Sequence, residues 1–266
     1  MEERKHIVIL AAGDFPTHPI PLRALREADF VVCCDSANTS FRPLSQPQAA
    51  ASSPNLGEQS DGGSSSSPKV GEVAVQRTDG GVCKPFVVIG DGDSLSATDK
   101  AALGDRWIHV AEQDYNDLHK AMQWATQKFS ILNSQFSILA ATGKREDHTL
   151  GNISYLATFA HEYPGIHLEM LTDHGRFTAL TPAASTVLNS QFSILNSFKG
   201  QQVSLFTLDP HTRVTATGLR WPLREAQLSP WWQGTLNEAL SDTFSLSADG
   251  PFLVFQTYEP KQASVV

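Results

Sequence analysis

Cysteine is scarce, with three in 266 residues. Cys33, Cys34 and Cys83 are odd in number and two are adjacent, which gives no disulfide framework and no spaced thiol pair for a metal; buried, reduced thiols are the reading. Basic residues are also in deficit, 20 Lys and Arg against 28 Asp and Glu, for a formal net charge of −8. That balance argues against a nucleic-acid or membrane-surface partner, both of which need clustered positive charge. No apolar run approaches membrane-spanning length. Residues 7–12 run straight into Gly13-Asp14 and are too short for the apolar centre of a secretion signal. The expectation is a reducing, cytoplasmic setting. Several catalytic signatures are missing as well: there is no GxxxxGK[ST], GxSxG, CxxC or HExxH. P-loop phosphoryl transfer, nucleophile-elbow hydrolysis, dithiol exchange and zincin chemistry are disfavoured accordingly.

What is present is enough apolar material, 41%, to build real cores. The length favours two domains. Residues 6–12, 30–34, 86–89, 107–111 and 136–141 are short, largely apolar runs, several ending in Gly or Asp, which reads as buried parallel strands opening onto loops, and residues 167–171 read as another strand. Between them, residues 22–28, 116–129 and 150–163 read as helices. In the second of these Leu118, Met122, Ala125 and Phe129 share a face, with Asn116 as N-cap. Beyond Asp173 the texture changes to alternating Thr- and Val-rich pieces, as in residues 202–208, 213–217 and 252–258, the pattern of antiparallel strands. The predicted fold class is α/β plus all-β. A Rossmann-like parallel-sheet domain covers residues 1–173, and a small antiparallel β-sandwich covers residues 174–266.

Two features interrupt this plan. Residues 43–81 are rich in Ser, Gly, Pro, Gln and Ala and include Ser64-Ser65-Ser66-Ser67. Such a composition cannot bury enough surface to offset its ordering entropy, and a flexible insertion is expected. The heptapeptide Asn-Ser-Gln-Phe-Ser-Ile-Leu occurs twice, at 133–139 and 189–195. Two isolated copies make neither sustained heptads nor a solenoid. The expectation is duplicated sequence inserted at two surface loops, about 130–136 and 189–197, with residues 136–139 kept as a strand.

Three acidic clusters carry the chemistry: Gly90-Asp91-Gly92-Asp93-Ser94, Gln113-Asp114-Tyr115-Asn116-Asp117 and Gly143-Lys144-Arg145-Glu146-Asp147-His148-Thr149. Each follows an apolar run. In an open α/β sheet, ligands bind at the carboxyl ends of such strands, so carboxylates far apart in sequence gather at one edge. Their repulsion calls for a cation, and an all-oxygen set selects a hard ion such as Mg²⁺ shared with substrate phosphates.

Written as GDGDS, QDYND and GKREDHTLGN, these stretches resemble the ordered signature of thiamine pyrophosphokinases, which runs GDFDS, then KD or QD followed by TD, then GRxDHxxxN. The resemblance continues at Cys34-Asp35-Ser36-Ala37, at Gly218–Leu223 and at Gly234-Thr235-Leu236-Asn237-Glu238. It implies pyrophosphoryl transfer from ATP to the hydroxyl of thiamine, with Mg²⁺, in a homodimer whose site forms between subunits. Carried over by motif, Asp91, Asp93 and Asp117 are the catalytic and metal-binding residues. Asp35, Gln113, Asp114, Arg145 and Asp147 face the nucleotide. Thr235, Leu236 and Asn237 face thiamine, with Trp221, Trp231 and Trp232 available to stack on a cationic ring. The chain departs from the pattern at Gly92 for Phe, Asn116 for Thr, Ser36-Ala37 for glycines and Leu236 for Ser. A different acceptor alcohol and a non-catalytic nucleotide-binding sensor stay open as alternatives.

Overall fold

The computed structural model describes residues 4–35, 37, 84–180 and 193–261. The expected insertion at 43–81 and the first residues of the second repeat, 189–192, lie outside the described residues.

Strands β1 (Lys5–Leu10), β2 (Phe30–Cys34), β3 (Phe86–Gly90), β4 (Trp107–His109), β5 (Ser134–Leu139) and β6 (His167–Leu171) are all parallel, side by side in the order β6-β5-β1-β2-β3-β4. Runs such as FVVCC in β2 and FVVIG in β3 are apolar and buried almost throughout, as strands covered on both faces must be. Helices α1 (Pro19–Glu27), α2 (Ala97–Leu103), α3 (Asp117–Lys128) and α4 (Glu146–Glu162) fill the connections. In α3 the expected stripe of Leu118, Met122 and Ala125 is buried, and the helix packs against β1, β2 and β3. Its buried face is wider than the apolar pattern shows, because His119 and Lys120 are buried too. The short helix α2, capped by Ser96 on the Asp99 amide, had no apolar periodicity to announce it.

The remaining strands are β7 (Gly175–Leu180), β8 (Ser193–Asn196), β9 (Gln201–Thr207), β10 (Arg213–Thr217), β11 (Leu223–Gln227), β12 (Asn237–Glu238), β13 (Thr243–Ala248) and β14 (Phe252–Pro260). Four of them extend the parallel sheet without a break, in the order β12-β9-β14-β7 beside β6, to give ten strands; the other four form a second sheet, β11-β10-β13-β8. β9 alternates buried and half-buried residues along its length, so one face meets the second sheet. Val203, Leu205 and Val254 from the long sheet pack there with Val214, Phe244 and Leu246 from the short one. The antiparallel sandwich is therefore real, yet its larger sheet is a continuation of the parallel one.

The repeats behave differently from expectation. Residues 136–139 of the first copy lie in a strand as expected, but the strand begins earlier: Ser134 already lies in β5, next to β1 in the middle of the ten-stranded sheet. The described part of the second copy, which was expected in a loop, forms β8 at the edge of the small sheet, paired with β13. Alternation of Phe, Ile and Leu with short polar residues suits a pleated strand in either place.

The turn between β6 and β7 is fastened to the start of α1. The Asp173 carboxylate accepts from the Thr17 amide at 2.9 Å, the Thr17 hydroxyl at 2.6 Å and the His18 amide at 3.0 Å. Burial pushes its pKa up, but these bonds outweigh burial and leave it below the ordinary value. Asp173→Ala is expected to cost about 1–2 kcal/mol at neutral pH. Because the folded pKa is the lower one, this contribution is present above the usual carboxylate range and disappears as pH falls through the folded value. Urea melts of both proteins at neutral and strongly acidic pH should show the difference shrinking with acid.

Candidate active site

The chain ends β1 to β4 on one side of β1 and then returns to place β5 on the other. The carboxyl end of this switch is laced shut. Gly13 and Asp14, after β1, donate backbone N–H groups to the carbonyls of Ala140 and Thr142, after β5, and Lys144 Nζ donates to the Ala12 carbonyl at 2.7 Å. The acidic cluster opens beside it, over the ends of β2 and β3.

Asp35 follows β2 directly and is fully buried. Its Oδ2 accepts from the Gly92 amide at 2.8 Å, while Oδ1 has no partner among the described residues. Burial raises its pKa despite the amides of Gly92 and Ser94. Gly90 makes this approach possible: a Cβ there would stand 2.4 Å from Asp35 Cβ and 3.2 Å from Asp117 Oδ1. Gly92, at φ +86°, takes a left-handed turn that glycine adopts freely, and so aims its amide at Asp35.

Asp91 sits at the next position along the loop. Its Oδ1 accepts from the Asp93 amide at 3.0 Å and its Oδ2 from Gln113 Nε2 at 3.1 Å. Those bonds, the Asp93 amide first, hold its pKa below the ordinary value. Asp117 opens α3, where Asn116 caps the helix by accepting from the His119 amide at 3.0 Å. The pKa of Asp117 is raised, mainly by burial, with Lys120 pulling it down and the charges of Asp35 and Asp91 pushing it up. Lys120, one turn further along α3, is only 4% exposed and lies 3.6 Å from Asp117 Oδ1 and 4.0 Å from Asp91 Oδ2. Sequence reading passed over this lysine. The signal was there, since Asp117 and Lys120 are spaced i, i+3 at a helix start, but an apolar stripe drew attention elsewhere.

The structure thus brings Asp91 and Asp117 to Lys120, with Gln113 on Asp91 and with Asp35 and Asp117 both against Gly90. Asp93 and Asp114 are exposed, and neither carboxylate makes a hydrogen bond or ion pair among the described residues. No group of three or more His, Cys, Asp or Glu side chains among the described residues is arranged to hold a metal, so Asp91, Asp93 and Asp117 do not by themselves form a closed three-ligand site. Arg145 and Asp147 pair with each other in bidentate fashion, at 3.0 and 2.6 Å, in solvent. That bond lowers the Asp147 pKa and raises that of Arg145. Asn152 of the third motif acts as a brace: its Nδ2 donates to the Ala141 carbonyl at 2.8 Å and its Oδ1 accepts from Asn116 Nδ2 at 3.2 Å, joining the β5 end to the α3 cap.

In the C-terminal half, Trp221, Leu223, Gln233, Thr235, Leu236 and Asn237 line a cleft of about 300 Å³. Asn237 is its strut: Nδ2 donates to the Trp221 carbonyl at 2.7 Å, and Oδ1 accepts from the Trp221 amide at 3.1 Å. The Thr235 hydroxyl donates to the Trp232 carbonyl at 2.8 Å. Leu236 is 65% exposed, at φ +62°, so it is not a buried strand residue. Leu236→Ser is therefore expected to change folding stability by no more than about 0.5 kcal/mol, which a thermal melt checks.

Residues 22–168, more than half of the chain, match the model of the thiamin pyrophosphokinase catalytic domain, and residues 186–255 match that of the thiamin pyrophosphokinase substrate-binding domain. The chain belongs to the thiamine pyrophosphokinase family. Thiamine pyrophosphokinase 3 of Oryza sativa subsp. japonica is 30% identical over 154 residues, 55% of either chain. The thiamine pyrophosphokinase of Bacillus subtilis is 26% identical over 149 residues, 54% of this chain and 64% of the relative. The matches thus span between half and two thirds of these curated relatives. In fold, the thiamin pyrophosphokinase from Candida albicans superposes with a TM-score of 0.67 at 15% identity, covering 96% of this chain and 90% of that one. The Bacillus subtilis thiamine pyrophosphokinase structure gives 0.62 at 17% identity, covering 96% and 100%. Within the family's catalytic span fall all the acidic motifs described above, and within its substrate-binding span falls the cleft at Trp221 and Leu236.

Proposed function

We propose that this chain is a Mg²⁺-dependent thiamine pyrophosphokinase, converting ATP and thiamine to AMP and thiamine diphosphate. The observation that carries the reading is the carboxylate cluster of Asp35, Asp91 and Asp117 at the ends of parallel strands, inside the span that matches the family's catalytic model. The donor set fits the ion. All donors are oxygens, Asp35 Oδ1 is buried without a partner among the described residues, and Mg²⁺ commonly takes one or two carboxylates and completes its shell with substrate phosphates and water. A closed protein cage is not needed. Asp91 and Asp93 would hold the ion, with Asp117 beside them. Bound there, it would neutralise phosphate charge and favour an in-line geometry.

The chain's own groups then position the reactants. The hydroxyl oxygen of thiamine attacks the β-phosphorus of ATP and releases its proton to solvent, the bond from that phosphorus to the α,β-bridging oxygen breaks, and AMP leaves with that oxygen. Asp117 orients the hydroxyl. Arg145, exposed on its Asp147 partner, offers a planar fork for phosphate oxygens. Gln113 and Asp114 flank the nucleotide. Thiamine occupies the cleft at Trp221, Thr235 and Leu236, where exposed indole faces suit a cationic ring.

Trp221, Trp232, Leu236 and Leu240 are all more than half exposed. An apolar surface of this kind supports a homodimer in which one subunit's cleft serves its partner's carboxylates. Buried Cys33 and Cys34 suit the reducing cytoplasm. The test is AMP release from ATP and Mg²⁺ with no acceptor, with thiamine, and with a panel of other primary alcohols. Release with thiamine alone supports the reading. Release with another alcohol only would reassign the acceptor, and binding of ATP with no release under any condition would make the chain a sensor.

A further inference from the structure

Lys120 has no role in the reading above, and its surroundings are unusual for a lysine. It is almost fully buried, and its ammonium reaches from α3 to carboxylates on two separate elements, Asp117 at the helix start and Asp91 in the loop after β3. Lysine is rarely buried unless paired, and here the pairing is with the oxygens that a divalent ion would also seek. Asp91 Oδ2 is further occupied by the Gln113 amide at 3.1 Å. Without a cation, three carboxylates held this close would repel one another. Among the described residues none other than Lys120 forms an ion pair with Asp91 or Asp117.

We propose that Lys120 is a built-in counter-ion that holds Asp91 and Asp117 together in the nucleotide-free protein and keeps free divalent metal out of the cluster, so that metal enters only with a polyphosphate. The last clause rests on the proposed function; the competition between lysine and metal does not. Lys120 is accordingly a positioning residue, acting through the carboxylates. It assembles the site before the substrate arrives and makes the protein's own affinity for the bare ion low. A polyphosphate brings additional oxygen ligands, which shift the balance in favour of the metal.

The test uses Mn²⁺ as the probe, titrated into the full-length, nucleotide-free protein and followed by the electron paramagnetic resonance signal of free Mn²⁺. Lys120→Met, which keeps the stem and removes the charge, is expected to bind Mn²⁺ about tenfold or more tightly than the unsubstituted protein. Adding Asp117→Asn to Lys120→Met should return the affinity towards the starting value. Mn²⁺ affinity in Lys120→Met that is unchanged or weaker overturns the proposal and leaves Lys120 as an ordinary structural ion pair. Should Lys120→Met fail to fold without metal, a melt decides: Mn²⁺ restores the cooperative transition if the proposal holds and fails to if Lys120 is only a strut. The titration contains neither ATP nor thiamine. A failed acceptor assay would therefore count against the proposed function alone, and an unchanged Mn²⁺ affinity against Lys120 alone.

Discussion

Asp91→Asn is expected to lower kcat for AMP formation by about 10²-fold or more while leaving the fold intact. Asparagine retains an oxygen that can accept from the Asp93 amide, as Asp91 Oδ1 does at 3.0 Å, so the loop keeps its turn. What is lost is the negative charge that faces Lys120 and would face the metal. Asp91 is partly exposed, and Lys120 keeps Asp117 as a partner at 3.6 Å, so no buried charge is left unpaired and the change in the melting curve should be small. Asp93→Asn isolates the second half of the assignment. Its carboxylate is exposed and makes no hydrogen bond or ion pair among the described residues, so any loss of turnover in that variant reports on ligand binding rather than folding. Steady-state kinetics at saturating Mg²⁺ check both. Near-normal kcat in either variant would remove that residue from the metal site.

Phe136→Ala is expected to destabilise the protein by about 3–5 kcal/mol, the largest stability effect predicted here. Phe136 is completely buried, in β5, paired with Ile7 of β1 near the centre of the ten-stranded sheet. Its truncation leaves a cavity that neighbouring strands, tied by ladders on both sides, cannot collapse to fill. At an exposed position the same change would cost only about 0.5 kcal/mol. Urea denaturation distinguishes these values readily.

That contrast shows where the sequence is legible and where it is not. Continuous apolar runs ending in Gly or Asp placed the parallel strands at 30–34 and 86–89 within a residue or so of β2 and β3, because a strand buried on both faces must be apolar throughout. The change of texture after Asp173 marked the passage to antiparallel pairing. It could not show that β7 continues the same sheet, since edge-to-edge pairing leaves no signature in a single strand's composition. The repeat misled because duplication suggests insertion, whereas sheet position is decided by tertiary pairing. At the site, ordered motifs singled out Asp91 and Asp117 as candidates, and both lie against one buried lysine. Asp35 was read with its glycine departures at Ser36-Ala37, and it proves to be the most deeply held carboxylate of the group. Lys120 escaped notice because burial of a charge depends on partners brought from other elements, here the loop after β3. Asn237 was assigned to the substrate by resemblance; it lines the cleft and its amide bonds to the backbone of Trp221.

The central claim is transfer of an intact pyrophosphoryl group to thiamine, and one product analysis addresses it directly. Purified protein is incubated with ATP, Mg²⁺ and thiamine, and nucleotides and thiamine esters are separated and quantified together. The account predicts thiamine diphosphate and AMP in equal amounts, with neither formed when thiamine is omitted. Thiamine monophosphate with ADP would contradict it, as would AMP accumulating without any thiamine ester.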